Sequence, residues 1–186
     1  MSKDIKKISI PTTAIAMTLL MIAPASLGAF AQVSEGPTST TRSGGLHFVG
    51  EPLLTVDKTD GATLTATGEV AGAGTGAGTA TIEATVSATV GCITPSGSNE
   101  PSGLEDVQTT TTATAPFTPT RQGRGEFTVT TEPISIEDLE VDGEPFECPS
   151  ANMEETIVGD FTFTGITLTI DAQTGSIEAT FPDVDP

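Results

Sequence analysis

The chain has no tryptophan, no tyrosine and a single histidine among its 186 residues. Without Trp and Tyr it lacks the usual flat rings on which a sugar-binding site stacks its ligand. It also leaves Phe, helped by Ile, Leu and Val, to supply the bulk of any core. Cations are nearly as scarce, with seven Lys and Arg against 25 Asp and Glu, and nothing basic follows Arg124. Nucleic-acid binding depends on Lys and Arg neutralising phosphates, so that function is excluded as an expectation. Anionic membrane surfaces are disfavoured on the same ground. Two cysteines and one distant histidine fall short of the four ligands of a closed structural zinc site.

Long apolar runs are absent too, except at the start. Lys3, Lys6 and Lys7 precede the run Ala14–Ala25, which leads to Ala29-Phe30-Ala31. A basic segment, an apolar stretch of about 7–15 residues and a small-x-small exit describe a secretory signal peptide. The run is short for a membrane span, which needs roughly 20 apolar residues. The expectation is a signal peptide over 1–31, cut after Ala31 to leave Gln32 first; an uncleaved anchor is the alternative. No Cys follows the run, so a lipid-anchored end is not expected. Removing Lys3, Asp4, Lys6 and Lys7 with the signal takes the net charge from −18 to −20. Such acidity favours solubility and self-repulsion.

What remains is about 155 residues, a size that suits one domain. Residues 32–45 (QVSEGPTSTTRSGG) are polar and aperiodic and read as a disordered leader, with a single folded domain over 46–186. In the oxidising setting that export implies, Cys92 and Cys148 are expected to form one disulfide. Closing so long a loop is worth roughly 4 kcal/mol in the chain-entropy model.

The folded part alternates in twos. Ala80, Ile82, Ala84, Val86, Ala88 and Val90 interleave with Thr, Ser and Glu, the period of a half-buried strand. Cys92 continues the apolar phase. Leu64, Ala66 and Val70 mark another strand, Phe127 and Val129 a third, and Leu46–Gly50 a first. Phe161 and Phe163 share one phase and Ile166, Leu168 and Ile170 the other, so Gly165 marks a β-bulge. Asp171–Gly175 then turns into a hairpin with Ile177, Ala179 and Phe181. The run Thr109–Thr112 and the Ala-Thr alternation after it fit a strand or a Pro-bounded linker. Thr94–Asp106 reads as a polar loop, and Ala71–Gly78 (AGAGTGAG) as a flexible hairpin connector. No segment keeps a 3.6-residue period. The expected fold is all-β: an antiparallel, immunoglobulin-like β-sandwich of about seven to nine short strands.

Candidate sites are few. The Ala71–Gly78 glycines lack the Gly-Lys-Ser/Thr ending and the following helix of a phosphate loop. His47 has no triad partner that the sequence nominates; a pocket joining it to a Ser and an acid would mark a hydrolase. Paired carboxylates suited to glycoside hydrolysis cannot be singled out in so acidic a chain. The stretch Glu132–Glu155 holds nine carboxylates and no cation. Within it, Asp138, Glu140, Asp142 and Gly143 match the start of an EF-hand loop. Glu at the third position, Pro149 at the twelfth and the lack of helices depart from that motif. No cofactor is expected beyond a generic calcium site, for which Asp138, Glu140, Asp142 and Glu144 are candidate ligands, set against a solvated edge with an Asp142-Gly143 hairpin turn. Threonine stripes recur at 63/65/67, 128/130, 162/164 and 167/169; they suit exposed strand faces, and regular Thr-x-Thr faces also match ice or polysaccharide lattices.

The segments His47-Phe48-Val49-Gly50-Glu51-Pro52 and Leu64-Thr65-Ala66-Thr67-Gly68, with Ala71-Gly72, resemble a group of small secreted prokaryotic proteins of unknown function. In that group a signal peptide precedes one Thr-rich β-domain with two central cysteines. The resemblance runs from residue 46 to about 186 and implies export and a β fold, with no catalytic residues to transfer. The expectation is a secreted, non-catalytic protein with a binding or structural role at the cell surface or in the extracellular matrix, its partner an extracellular protein or polysaccharide. A calcium-stabilised adhesion or binding module comes second and a secreted hydrolase third.

Overall fold

The computed structural model describes residues 36–57, 61–94 and 102–184, so the expected signal peptide and the leader residues 32–35 lie outside the described residues. The described chain is all-β and antiparallel. Its strands are β1 (Ser39–Arg42), β2 (His47–Phe48), β3 (Leu53–Asp57), β4 (Thr63–Ala71), β5 (Gly78–Ile93), β6 (Ser102–Phe117) and β7 (Gly125–Thr130). After a 3-10 turn at Ile136–Asp138 come β8 (Glu140–Val141), β9 (Glu144–Pro145), β10 (Glu154–Ala172) and β11 (Gly175–Thr180).

The larger sheet runs in the order β1-β11-β10-β5-β6-β8-β9. In the smaller one β4 is central. Thr65 pairs with Thr55 and Thr130, and Val70 with Phe48 and Gly125, so β3 and β2 lie end to end along one edge and β7 along the other. The two sheets share one core. The larger contributes Ala80, Ile82, Val86, Val90, Phe163, Leu168 and Ile170, and the smaller Leu54, Leu64, Val70, Phe127 and Val129. Every apolar member of the β5 alternation is buried, as its period of two requires.

One strand, β10, stays in phase with β5 only through inserted residues. β10 gains one residue between Thr164 and Thr167 against Thr85 and Glu83, with Gly165 at φ +60°, which is the expected bulge. A second irregularity lies between Val158 and Thr162. These insertions let β10 run for 19 residues. Eleven strands, three of them 16 to 19 residues long, therefore replace the expected seven to nine short ones.

Three other expectations change, and one open alternative closes. The second half of the expected leader is ordered: Ser39–Arg42 adds to β11, because β11 otherwise presents an open edge to which any extended segment can bond. The polar loop after Cys92 is shorter than Thr94–Asp106, since β6 begins at Ser102. The Thr109–Thr112 run belongs to β6, paired along its length with β5. Ala71–Gly78 is not a hairpin connector: it passes from β4 in one sheet to β5 in the other. Its backbone is pinned, with the Ala73 N–H donating to the Gly123 carbonyl at 2.9 Å and the Thr75 and Gly76 N–H groups to Gln173 Oε1 at 3.4 and 3.3 Å.

Cys92 and Cys148 form the disulfide, with Cα atoms 5.8 Å apart and a sequence separation of 56. Cys92 is buried at the end of β5, as its phase predicts. Cys148 lies between β9 and β10, so the bridge ties together parts of the larger sheet rather than joining the two sheets. A disulfide is compatible with an extracellular location, and no helix among the described residues is long and apolar enough to cross a membrane.

Candidate functional site

His47 borders an open groove of about 530 Å³ between β1 and the β2–β3 segment, shared with Ser39, Thr40, Arg42, Phe48, Glu51 and Pro52. A Ser, a His and an acid thus meet at one groove, the arrangement that would mark a hydrolase. The strand register takes the serine out of it. Thr40 and Arg42 pair with Ala179 and Ile177, whose side chains are buried on the inner face. Ser39 and Thr41 alternate with them and share the outer face with Thr180 and Glu178. The Ser39 hydroxyl is therefore on the far side of β1 from the imidazole. His47 Nδ1 lies 3.1 Å from the Gly45 carbonyl oxygen, and no hydrogen bond among the described residues links His47 to Ser39 or Glu51. Without nucleophile–base contact the groove has no triad geometry.

The acidic stretch alternates acids with apolar residues, and the apolar ones decide its position. Ile134 and Leu139 are buried, and Ile136, Val141 and Phe146 pack against the same core. β5 spans roughly 50 Å at 3.3 Å per residue and β4 only about 30 Å, so the smaller sheet is too short to cover the larger. The acidic segment runs from the smaller sheet, where Ile134 bridges Ala62, to the β8–β9 edge of the larger one, its apolar residues packing on the shared core, and the disulfide anchors its end. Its carboxylates are the solvent side of a structural cover.

Of the four candidate calcium ligands this geometry brings Glu140 and Asp142 to one groove beside Thr110 and places Glu144 at another. Asp138 Oδ2 accepts hydrogen bonds from the Ser135 N–H and hydroxyl, both at 2.8 Å, in a reciprocal cap on the 3-10 turn. Glu140 pairs with Pro145 and Glu144 with Val141, so the two glutamates lie on opposite faces of the β8–β9 ribbon. Asp142 and Gly143 form the tight turn between them, at φ +53° and +84°. That is the positive-φ pair of the expected Asp-Gly hairpin. No group of three or more His, Cys, Asp or Glu that could hold a metal ion occurs among the described residues.

The feature that register does assemble is a hydroxyl-lined outer face on the larger sheet. Across β6, β5 and β10 the aligned residues are Thr114–Thr81–Thr169 and Thr110–Thr85–Thr164. A longer row runs Thr112–Glu83–Thr167–Thr180–Ser39, from β6 to β1. The bulge at Gly165 keeps Thr162 and Thr164 on the same face as Thr167 and Thr169 while Ile166 stays buried. Neighbouring hydroxyls in a row are spaced by about 4.8 Å and successive rows by about 6.7 Å along a strand. Some already bond across strands, as Thr81 Oγ1 does with Thr114 Oγ1 at 3.0 Å. The stripes at 63/65/67 and 128/130 belong to the smaller sheet, where Thr65 and Thr130 hydroxyls meet at 2.9 Å. Sequence periodicity finds each stripe but not which stripes adjoin. The contribution of Thr110, Thr112 and Thr114 follows only from pairing with β5. No family model, no curated protein and no solved structure matches the chain.

Proposed function

We propose that this chain is a secreted, non-catalytic β-sandwich with a binding or structural role at the cell surface or in the extracellular matrix. Its working surface in this reading is the hydroxyl face of the larger sheet. The observation that carries it is the alignment of Thr110–Thr85–Thr164 and Thr114–Thr81–Thr169 into rows across three long strands. A threonine hydroxyl both donates and accepts, so rows of them suit a hydroxyl-rich neutral polysaccharide. The rows offer fixed partners to a repeating chain, and β-branched side chains lose little rotamer freedom on binding. A net charge of −18 opposes anionic membranes and nucleic acids as partners and leaves a neutral polymer free to approach.

The test is retention of the chain beginning at Gln32, disulfide intact, on insoluble neutral polysaccharides. Thr85→Glu with Thr164→Glu places two charges in the middle of the face and should abolish retention without altering the far-UV spectrum. No retention on any such polymer, or retention that ignores the double substitution, overturns the polysaccharide reading. Export is tested separately by N-terminal sequencing of the extracellular protein, which should begin at Gln32. A membrane-bound product starting at Met1 or Ser2 would defeat it.

A further inference from the structure

We infer that the free edge of β6 is a self-association edge, on which a second copy of this chain adds its own β6 antiparallel to the first. The inference is independent of what the hydroxyl face binds. β6 is 16 residues long, yet on the side away from β5 it is paired only where Gln108 meets Glu140 of β8. Beyond Gln108 no strand among the described residues pairs with this edge, although Glu140, Asp142 and Gly143 border a groove beside Thr109 and Thr110. Pro116 shows which backbone groups face outward. A proline has no N–H to give to a ladder and is tolerated where that group would point to solvent. By alternation, Thr110, Thr112 and Thr114 turn their N–H and C=O groups outward as well. The close hydroxyl approach of Thr81 and Thr114, at 3.0 Å, agrees, because side chains lie nearest in pairs that do not exchange backbone bonds.

Edges of this kind are normally blunted by shortness, charge, proline or a bulge. β1 is four residues long, and β3 is five residues bounded by Pro52 and Asp57. β6 has none of these devices between Gln108 and Pro116. The stretch Val107–Thr120 contains no charged residue in a chain with 25 acids. A copy approaching elsewhere on such an acidic protein meets like charge, whereas along Thr112–Pro116 it meets threonine, alanine and proline, with Glu140 and Asp142 at the Thr110 end of the edge. The nearest acid inward is Glu83, opposite Thr112. With Thr112 facing its symmetry mate, the two Glu83 residues would be three strand spacings apart, about 14 Å. That exceeds the Debye length of about 8 Å at physiological ionic strength. The pairing is self-complementary about a two-fold axis: Thr110 opposes Thr114 of the partner and the reverse, giving three bonded pairs and about six backbone hydrogen bonds. Ala113 and Ala115, partly buried at this margin, would be covered as well. The two larger sheets would then become one, with their hydroxyl faces continuous.

Sedimentation equilibrium of the disulfide-bonded chain at rising concentration and ionic strength tests this. The expected result is a monomer–dimer equilibrium that shifts toward dimer as salt rises, since screening weakens the remaining acid–acid repulsion. Thr110→Glu with Thr114→Glu would place like charges opposite each other across the axis. It should raise the dimer dissociation constant about tenfold or more. Thr112→Pro, which removes one outward N–H, should act in the same direction, and if it does not fold the glutamate pair alone decides. Hydrogen exchange at Thr110, Thr112 and Thr114 should slow in the dimer. A monomer under all these conditions, or a dimer indifferent to the β6 substitutions, overturns the inference.

Discussion

At the scale of single residues, the positions that matter most look ordinary in sequence. Thr130 and Thr131 are adjacent threonines at the end of β7, and only the second is buried. Thr131 Oγ1 accepts the Leu64 N–H at 3.0 Å, and its own N–H donates to the Leu64 carbonyl at 2.9 Å. Thr131→Val keeps the shape and strands that buried N–H, at an expected cost of about 1–3 kcal/mol. Thr130→Val, on the exposed face, should stay within about 0.5 kcal/mol. Urea melts of both variants, compared by midpoint at constant slope, check the contrast. Gly78 is a second case. A Cβ there would meet the Phe117 ring and lie 2.8 Å from the Asp171 carbonyl oxygen, and one at Gly125 would lie 2.7 Å from the same ring. Phe117 thus fills space left by a glycine from each sheet. Gly78→Ala should cost about 1–3 kcal/mol by overpacking, measurable in the same melts. Neither role was legible. The first glycine read as part of a loose connector, and hydrogen bonding to Leu64 depends on a partner 67 residues away.

At the scale of elements, legibility follows locality. The β5 alternation, the Asp142-Gly143 turn and the slip at Gly165 are written in a few consecutive residues, and all three stand in the structure. β1 was missed because a polar tetrapeptide becomes a strand only when an edge is offered to it. The Thr109–Thr112 run was ambiguous because threonine on both faces erases the period of two. In the acidic stretch the carboxylates drew attention to calcium, while the buried Leu139 and Ile134 between them set the structure. The bulge gives a clean prediction for an element. Gly165 has φ +60°, and an added Cβ would have nothing within 4 Å, so Gly165→Ala meets only backbone strain. The expected loss is about 1–2 kcal/mol. Gly165→Asn, whose side chain tolerates the left-handed region, should lose visibly less. Equal losses in chemical denaturation would mean that space, not conformation, restricts the site.

At the scale of the molecule, two terms act on the stability that the buried core provides: dense like charge and one covalent bridge. Because no three of the candidate calcium ligands gather among the described residues, divalent cations should act on the acidic surface as a whole. Calcium and magnesium at one ionic strength should then raise the melting temperature equally relative to EDTA, and a rise with calcium alone would restore a specific site. The bridge acts on architecture. Between Cys92 and Cys148 lie β6, β7, β8 and β9, three strands of the larger sheet and one of the smaller. The bridge closes this 56-residue separation, and Cys148 holds the end of the acidic segment to β5 of the larger sheet. Loop closure alone is worth roughly 4 kcal/mol, within a usual range of about 2–5 for a native bridge in a small secreted domain. Cys92→Ala with Cys148→Ala should therefore lower unfolding free energy by about that amount. A merely entropic bridge would leave the native surface unchanged. If it also anchors the cover, amide exchange in the double variant should rise first around Leu139 and Phe146, ahead of the Ala80–Val86 core. Uniform acceleration across both regions would leave the entropic term alone to explain the loss.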